Sequence, residues 1–449
     1  MADIVDGCNL HRRNLSPKDV PIKELTPLAR EVRRHSNAQI IKLSTSIDEF
    51  GFVLPILMDE QKRVIAGWAL VLAAKRSLMT HVPAITVARL SEAQLRTLRI
   101  ALNRLAEDAA WNLPELKLEL EEILILEPSL DLTLSGFEMG EIDFHLQVGS
   151  EVEEPPVEVP DRTQPPTTRV GDLWILGPHR LLCGNALEDA SYKVFLGDVL
   201  VRSVHTDFPY NVKLKGNVTG KGQVVHDEFV MASGEMTQAE FVAFLISAMV
   251  LMTAYSLDGA LHYLFIDWRH LYELITAAQG IYTEQKNLCV WNKSNGSMGS
   301  FYRSKHELIA VYKHGTAPHI NNVELGRYGR NRTNVWDYAG VNTFRPGRME
   351  DLQAHPTVKP LRLIADAILD STHRGDAVLD PFLGSGTTLL ACEDTGRVGY
   401  GMELDPRYVD VAVRRWQTHT GQSARLKGTH LTFDELSIQR TENREVGDE

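Results

Sequence analysis

At 449 residues, with 43% hydrophobic and 24% charged side chains, the chain is long enough for two or three globular domains with real cores, which excludes a disordered or fibrous protein. A formal charge of -12 requires any affinity for nucleic acid to come from local basic patches rather than from the field of the whole molecule. Four widely separated cysteines, Cys8, Cys183, Cys289 and Cys392, make no CxxC pattern, so no metal is expected and a reduced, cytoplasmic setting fits.

The opening residues, Met1 to Asp6, lack a basic region followed by an apolar core, which argues against a signal peptide. Further on, Gly51–Met58 and Arg63–Gly67 read as two strands joined by a polar turn at Asp59–Lys62. A helix over Val71–Arg76 and a strand over Val82–Val87 follow, and Ser91 with Gln94 makes a capping box that opens a helix toward Asn103. Two amphipathic runs between 115 and 147, either side of Gly136-Phe137, predict a helical extension. This succession, over roughly 20–112, resembles the N-terminal domain of the ParB/sulfiredoxin-like superfamily. The resemblance is carried by Gly51, Pro55, Ile65-Ala66-Gly67, Ala73-Ala74, Val82-Pro83 and Ala101-Leu102-Asn103. It implies a small α+β domain over 10–147. In that family a polar or acidic residue and an arginine follow the glycine and meet nucleotide phosphates. Here Trp68-Ala69-Leu70 stand there, and apolar groups cannot neutralise phosphate. A DNA-docking or protein-contact module is therefore expected rather than CTP binding or nuclease activity. Residues 148–168, rich in proline and acid, read as a stiff, self-repelling linker.

The next domain is expected over 169–425. Ser203–Thr206 forms a strand leading to Asp207, and open parallel sheets bind their ligands at such carboxyl ends. The most apolar window, Phe241–Leu257, carries Ser247 and Thr253 and is shorter than a comfortable bilayer span, so it reads as a buried helix and no membrane partner is expected. Asp267-Trp268-Arg269-His270 ends another strand, and its histidine has no ligand spacing. Asp376–Asp380 is a strand, Gly384-Ser385-Gly386 lets the backbone turn tightly, and Thr387-Thr388 starts a helix. Arg397–Met402 is the next strand, with Glu403 at its end. Residues 426–449 turn acidic and polar and read as a loosely ordered tail.

Two of these segments carry a second resemblance. Asp207-Phe208-Pro209-Tyr210 resembles the Asp-Pro-Pro-Tyr motif of amino-methylating DNA methyltransferases, and Asp380-Pro381-Phe382-Leu383-Gly384-Ser385-Gly386-Thr387 resembles the S-adenosylmethionine loop of the same family. The order, catalytic motif first, is that of the permuted beta class. His355–Pro360 resembles a cofactor-flanking motif, and Cys183–Leu187 resembles a segment bordering the cofactor adenine, with Asn185 in place of an aspartate and a surface turn as the alternative. Val290–Lys293 and Phe301–Glu307 resemble stretches lining the base pocket.

The resemblance implies a Rossmann-like α/β fold and transfer of a methyl group from S-adenosylmethionine to a flipped base of double-stranded DNA. The catalytic residues would be Asp207, Phe208, Pro209 and Tyr210. The cofactor would lie on Asp380, Pro381, Phe382, Gly384, Ser385, Gly386, Thr387, Glu403, Lys359 and Asn185. The chemistry explains the residue types: an exocyclic amine has its lone pair delocalised into the ring, and Asp207 with the backbone carbonyl of residue 208 can accept its two hydrogens and expose that lone pair. Tyr210 can stack on the extruded base. Adenine N6 is the expected target because the tetrad begins with Asp, whereas relatives that methylate cytosine N4 more often begin with Ser.

Phe208 departs from the family's proline, and its ring is expected beside the target base. The alternative it raises is a DNA-binding regulator that no longer methylates. Lys213, Lys215 and Lys221 form a basic loop expected to close over the flipped base. Arg327, Arg330, Arg332 and Arg345, within a target-recognition segment of about 313–350, are the expected DNA contacts. An orphan or restriction-modification enzyme fits the lack of an endonuclease motif, and a homodimer is an allowed assembly.

Overall fold

The computed structural model describes residues 16–30, 32–147, 154–157, 165–211, 235–293, 301–327, 329–339 and 358–445. Contacts divide the chain into two compact units, Met1–Leu146 and Gln147–Glu449.

In the N-terminal unit five strands, β1 (Lys18–Pro21), β2 (Thr26–Pro27), β3 (Ile56–Met58), β4 (Arg63–Ala66) and β5 (His81–Thr86), form one sheet in the order β1-β5-β3-β4-β2. The polar turn between β3 and β4 is built on Asp59, whose carboxylate accepts the N–H groups of Gln61 and Arg63 at 3.0 and 2.8 Å and meets the Arg63 guanidinium at 2.5 Å. These bonds satisfy a charge that would otherwise be costly to bury. Helices run over Asn37–Phe50, Trp68–Arg76, Glu92–Arg104, Leu113–Leu126 and Met139–Gln147. The capping box predicted at Ser91 and Gln94 is present, with bonds of 2.9 and 3.2 Å. Gly67 takes a φ of 93°, and a Cβ there would meet Ile56 Cγ2 at 2.8 Å. After it, Trp68 and Leu70 pack against the core formed by Ile56, Met58, Val64 and Val71.

The C-terminal unit is α/β. Its strands are β6 (Leu173–Leu176), β7 (His179–Cys183), β8 (Val201–Asp207), β9 (Ser256–Ile266), β10 (Glu284–Asn292), β11 (His306–Lys313), β12 (Val335–Asp337), β13 (Ala377–Asp380), β14 (Val398–Glu403) and β15 (Arg425–Leu426). They form one sheet in the order β12-β10-β11-β9-β8-β13-β14-β7-β6-β15. The central run β9-β8-β13-β14-β7 is parallel, and the outer strands β11, β6 and β15 pair antiparallel. Helices cover both faces, so the central strands are apolar on both sides: Val378 lies in one core and its neighbour Leu379 in the other. From β8 the chain continues outward to β9, whereas from β13 it continues the other way to β14. The reversal between β8 and β13 is the kind of switch point at which open α/β sheets bind ligands.

The apolar window forms the helix Gln238–Ala254, which opens on a Thr237–Glu240 capping box and buries Phe241, Phe244, Leu245, Ala248, Met249 and Met252. Among the described residues no helix is long and apolar enough to cross a membrane.

Two expectations are corrected. The segment after Lys427 is not loosely ordered: it folds as a helix, Phe433–Glu445, whose Phe433 is buried with its ring 5.1 Å from that of Trp174, while Arg440 meets Asp172 at 2.6 Å. Charge density misled because two buried side chains, Phe433 and Leu436, with the Arg440–Asp172 pair, are enough to dock an otherwise polar helix. Part of the expected linker also belongs to the C-terminal unit. The N–H groups of Thr167 and Thr168 donate to the Asp410 carboxylate at 2.7 and 2.9 Å, and Val157 packs with Val358 and Val411.

Candidate active site

Three neighbouring parallel strands end in carboxylates: Asp207 on β8, Asp380 on β13 and Glu403 on β14. Parallel register places these ends along one edge of the sheet, and each carboxylate has a different environment.

Asp380 is buried and accepts from the Thr388 hydroxyl at 2.6 Å and from the N–H of Phe382 at 3.2 Å. Burial pushes its carboxyl up to about 7, against these donors, which favour the charged form. Its bonds close the loop that leads into the helix Thr387–Thr395. Gly386, at a φ of 91°, precedes that helix so closely packed that a Cβ would stand 2.8 Å from the Cβ of Ala412. Arg415 braces the loop from behind, donating to the Ser385 carbonyl at 2.8 Å and the Ser385 hydroxyl at 3.2 Å.

Glu403 holds the other side of the loop: its two carboxylate oxygens accept the N–H of Gly384 at 2.9 Å and of Asp405 at 2.8 Å. Burial raises its carboxyl, and those two backbone donors pull the other way. Asn185 stands at the adjoining end of β7, where the Gly184 N–H donates to the Glu403 carbonyl at 2.9 Å. Its amide is used locally, donating to Glu188 and accepting from Leu187, both at 3.0 Å, which is the geometry of an Asx turn.

Asp207 lies in the switch-point cleft, its side chain about one-fifth exposed. One of its oxygens accepts from the Tyr210 hydroxyl and the other from the Lys359 ammonium. Lys359 also lies 3.0 Å from Glu307 on β11, which is paired in turn with Lys293. Burial raises the Asp207 carboxyl, Lys359 opposes that rise and Glu307 adds to it. Burial alone would raise Glu307 as well, but Lys359 and Lys293 hold it below the usual carboxylate range. Burial and the Asp207 charge keep the Tyr210 phenol protonated. Just beyond, Asn211 donates to the carbonyl of Met236 at 2.8 Å and accepts its N–H at 3.1 Å, pinning the end of the tetrad.

Three expectations about side chains are corrected. The Phe208 ring is not beside a base pocket. It is buried, 5.5 Å from the ring of Phe382, in the same core as Phe241 and Phe244. The pleat explains this, since neighbouring residues of a strand point to opposite faces and the parity of β8 persists through residue 208. Arg330 and Arg332, expected as DNA contacts, are held in ion pairs within the fold. Arg330 is 7% exposed and reaches Asp370 at 2.7 Å, and Arg332 reaches the same carboxylate at 2.7 Å while lying 4.7 Å over the Trp336 ring. Lys359, expected as a cofactor contact, is paired with Asp207. Arg327 remains exposed and pairs with Glu324 at 3.0 Å. Lys213, Lys215, Lys221, Arg345 and His355–Thr357 lie outside the described residues.

Glu307 and Lys293 were expected only as members of stretches lining the base pocket, and Thr388 and Arg415 were not expected in the site. The signal for the first was a charged residue at the start of β11, directly before its apolar run, which has to find a partner when buried. Half-exposed Trp268, with the Arg269 guanidinium 5.3 Å from its ring, stands at the carboxyl end of β9 on the same sheet edge.

Residues 201–414 match the DNA methylase family. The type II methyltransferase M.HpaI of Haemophilus parainfluenzae is 38% identical over 96 residues, which are 21% of this chain and 28% of that protein. The DNA adenine methyltransferase YhdJ of Escherichia coli is 38% identical over 91 residues, 20% of this chain and 30% of that protein. The chain thus spans between a quarter and a half of the length of the first curated relatives it matches. The solved PvuII DNA methyltransferase, cytosine-N4-specific, overlays with a TM-score of 0.42 at 14% identity, covering 61% of this chain and 93% of that one.

Proposed function

We propose that the chain is an S-adenosylmethionine-dependent DNA methyltransferase that methylates the N6 amine of adenine flipped from double-stranded DNA. The observation that carries this reading is the adjacency of Asp207, Asp380 and Glu403 at the ends of three neighbouring strands, within the segment that matches the DNA methylase family. The residues present fit the cofactor: Gly386 has no room for a side chain, and Glu403 and Asp380 pin the loop from both sides through bonds already made. Asp380, Gly384–Thr387 and Glu403 would hold it, and when bound it supplies an electrophilic methyl group on a sulfonium sulfur.

The chain's own residues prepare the acceptor. Asp207 accepts a hydrogen bond from the target amine and the carbonyl of residue 208 accepts the other, so the nitrogen lone pair turns toward the methyl group. Tyr210 stacks on the base, a contact worth about 1–3 kcal/mol. Asp207 supplies aim and polarisation rather than full deprotonation, because the cationic product nitrogen loses its proton readily afterwards. Adenine is favoured by the Asp that opens the tetrad and by the likeness to a relative named as a DNA adenine methyltransferase. For the N-terminal unit we propose a ParB-like docking module without nucleotide chemistry, a reading supported by the packing of Trp68 and Leu70 into its core.

The test is to incubate the full chain with labelled S-adenosylmethionine and unmethylated mixed-sequence DNA, digest to nucleosides, and identify the product by mass, with Asp207→Ala in parallel. N6-methyladenine from the native chain, lost in the variant, is the expected result. N4-methylcytosine would redirect the assignment to cytosine. Cofactor and DNA binding without product would favour a regulator that has lost turnover, the reading that Phe208 motivates.

A further inference from the structure

The geometry around Asp207 poses a problem that the methyltransferase reading, on which this inference rests, leaves open. A target amine needs a carboxylate oxygen, and each oxygen of Asp207 already accepts one hydrogen bond, from Tyr210 and from Lys359, so the amine must share an oxygen with one of these donors or displace it. Lys359 is 6% exposed, and its ammonium lies 5.5 Å from the ring of Phe265, 5.8 Å from that of Tyr210 and 6.0 Å from that of Trp291. It therefore sits among flat aromatic faces, where a cation is stabilised and where a planar base would also find contact. Its second partner is ready, since Glu307 stands 3.0 Å away and is anchored by Lys293.

We propose that Lys359 is a placeholder and positioning residue: its ammonium occupies the Asp207 oxygen that the target amine takes over, and it retires onto Glu307 when the base enters. In the exchanged arrangement Lys359 and Lys293 stay paired with Glu307, while Asp207 keeps the Tyr210 hydroxyl and gains the target amine as its second donor. The exchange also separates the ammonium from Asp207 at the stage when methylation makes the acceptor nitrogen positive, where a second cation on the same carboxylate would oppose the reaction. Lys359 need not touch the base or the methyl group to act in this way.

Among the described residues, the charged and titratable groups facing Asp207 are Lys359 and Glu307, Tyr210 from its own loop and Asp380 from β13, with Lys293 behind Glu307 and Asp267 beyond Tyr210. Burial raises the Asp207 carboxyl, Lys359 lowers it and Glu307 raises it, so the two neighbours have opposite signs. Activity that needs ionised Asp207 has an acid limb set by this balance. Removing the ammonium moves that limb to higher pH, and neutralising Glu307 moves it to lower pH.

The experiment uses the full chain and measures kcat and KM for DNA across pH in Lys359→Met, Lys359→Arg and Glu307→Gln. In parallel, infrared difference titration of the native chain against Asp207→Asn, repeated in each variant background, reads the Asp207 carboxyl without turnover. The expected shift is about one pH unit upward for Lys359→Met, a tenfold change in proton affinity, with the native limb restored in Lys359→Arg. Glu307→Gln should move the limb downward and raise KM for DNA several-fold, because Lys359 then has no second carboxylate to receive it. Limbs that stay at the native position, or that move the same way in both variants, overturn the proposal. If Lys359→Met does not fold, the downward shift in Glu307→Gln alone decides it. A native chain that transfers no methyl group defeats the methyltransferase reading instead, and the infrared titration still judges Lys359: an Asp207 that titrates identically with and without Glu307 or Lys359 removes the pairing on which the proposal stands.

Discussion

Replacing Phe208 with proline would recreate the tetrad from which the chain departs, and the structure sets the consequence. The Phe208 ring is 2% exposed and shares a core with Phe244, Phe241 and Phe382. Proline fills about half of that volume, so Phe208→Pro leaves a cavity comparable to that of a large-to-small core substitution, which costs about 3–5 kcal/mol. Proline at 208 offers at most roughly 1 kcal/mol of backbone preorganisation in return. Net stability of a folded domain is only about 5–15 kcal/mol, so the loss is a large share of it. At about 2 °C for each kcal/mol in a unit of this size, the melting temperature should fall by roughly 5 °C or more. Phe208→Leu, which keeps most of the volume, should fall by less than half as much. The assay is urea and thermal unfolding of the three chains, read beside methyl transfer at a temperature where each is folded. Because the proposed chemistry uses only the carbonyl of residue 208, the native chain and Phe208→Leu should transfer at similar rates. A Phe208→Pro variant that melts with the native chain and transfers at least tenfold faster would refute the argument, and would mean that the ring obstructs the site.

Gly386→Ala should lower stability by about 1–3 kcal/mol, since the new methyl meets Ala412 at 2.8 Å and a φ of 91° is strained for alanine. Calorimetric titration should show a matching loss of cofactor affinity. Asp380, raised by burial to about 7 in the folded unit, binds a proton more tightly folded than unfolded. Its contribution is fully present below the ordinary carboxylate range near pH 4 and is lost as pH climbs through about 7. Denaturant midpoints of the native chain should therefore decline across that window relative to Asp380→Asn, and parallel curves would count against the assignment. Arg330→Ala removes one of the two guanidinium groups on Asp370 and leaves Arg332 on it, so it should cost about 1–3 kcal/mol of stability. Its folded fraction should bind duplex DNA with an unchanged salt dependence, where a phosphate contact would have reduced the slope.

The parts of this protein legible in its sequence are those where one residue type at one place does a job that no other type can. The Ser91–Gln94 cap announces itself locally because its partners are within a few residues, and carboxylates at the ends of apolar strands and glycines at a tight strand-to-helix turn announce themselves by residue type and place. Tertiary structure decided what lies between distant segments. Arg330 finds its carboxylate 40 residues away, and Lys359 meets Asp207 across 152, so a basic stretch read as a DNA patch and a motif resemblance read as a cofactor contact where folding makes buried ion pairs. The inward turn of Phe208 was in principle readable from strand parity, but the motif suggested a base contact more strongly. A buried charge must be paired, yet sequence says only that a partner is required; which carboxylate supplies it is set by how the sheet and its covering helices close on one another.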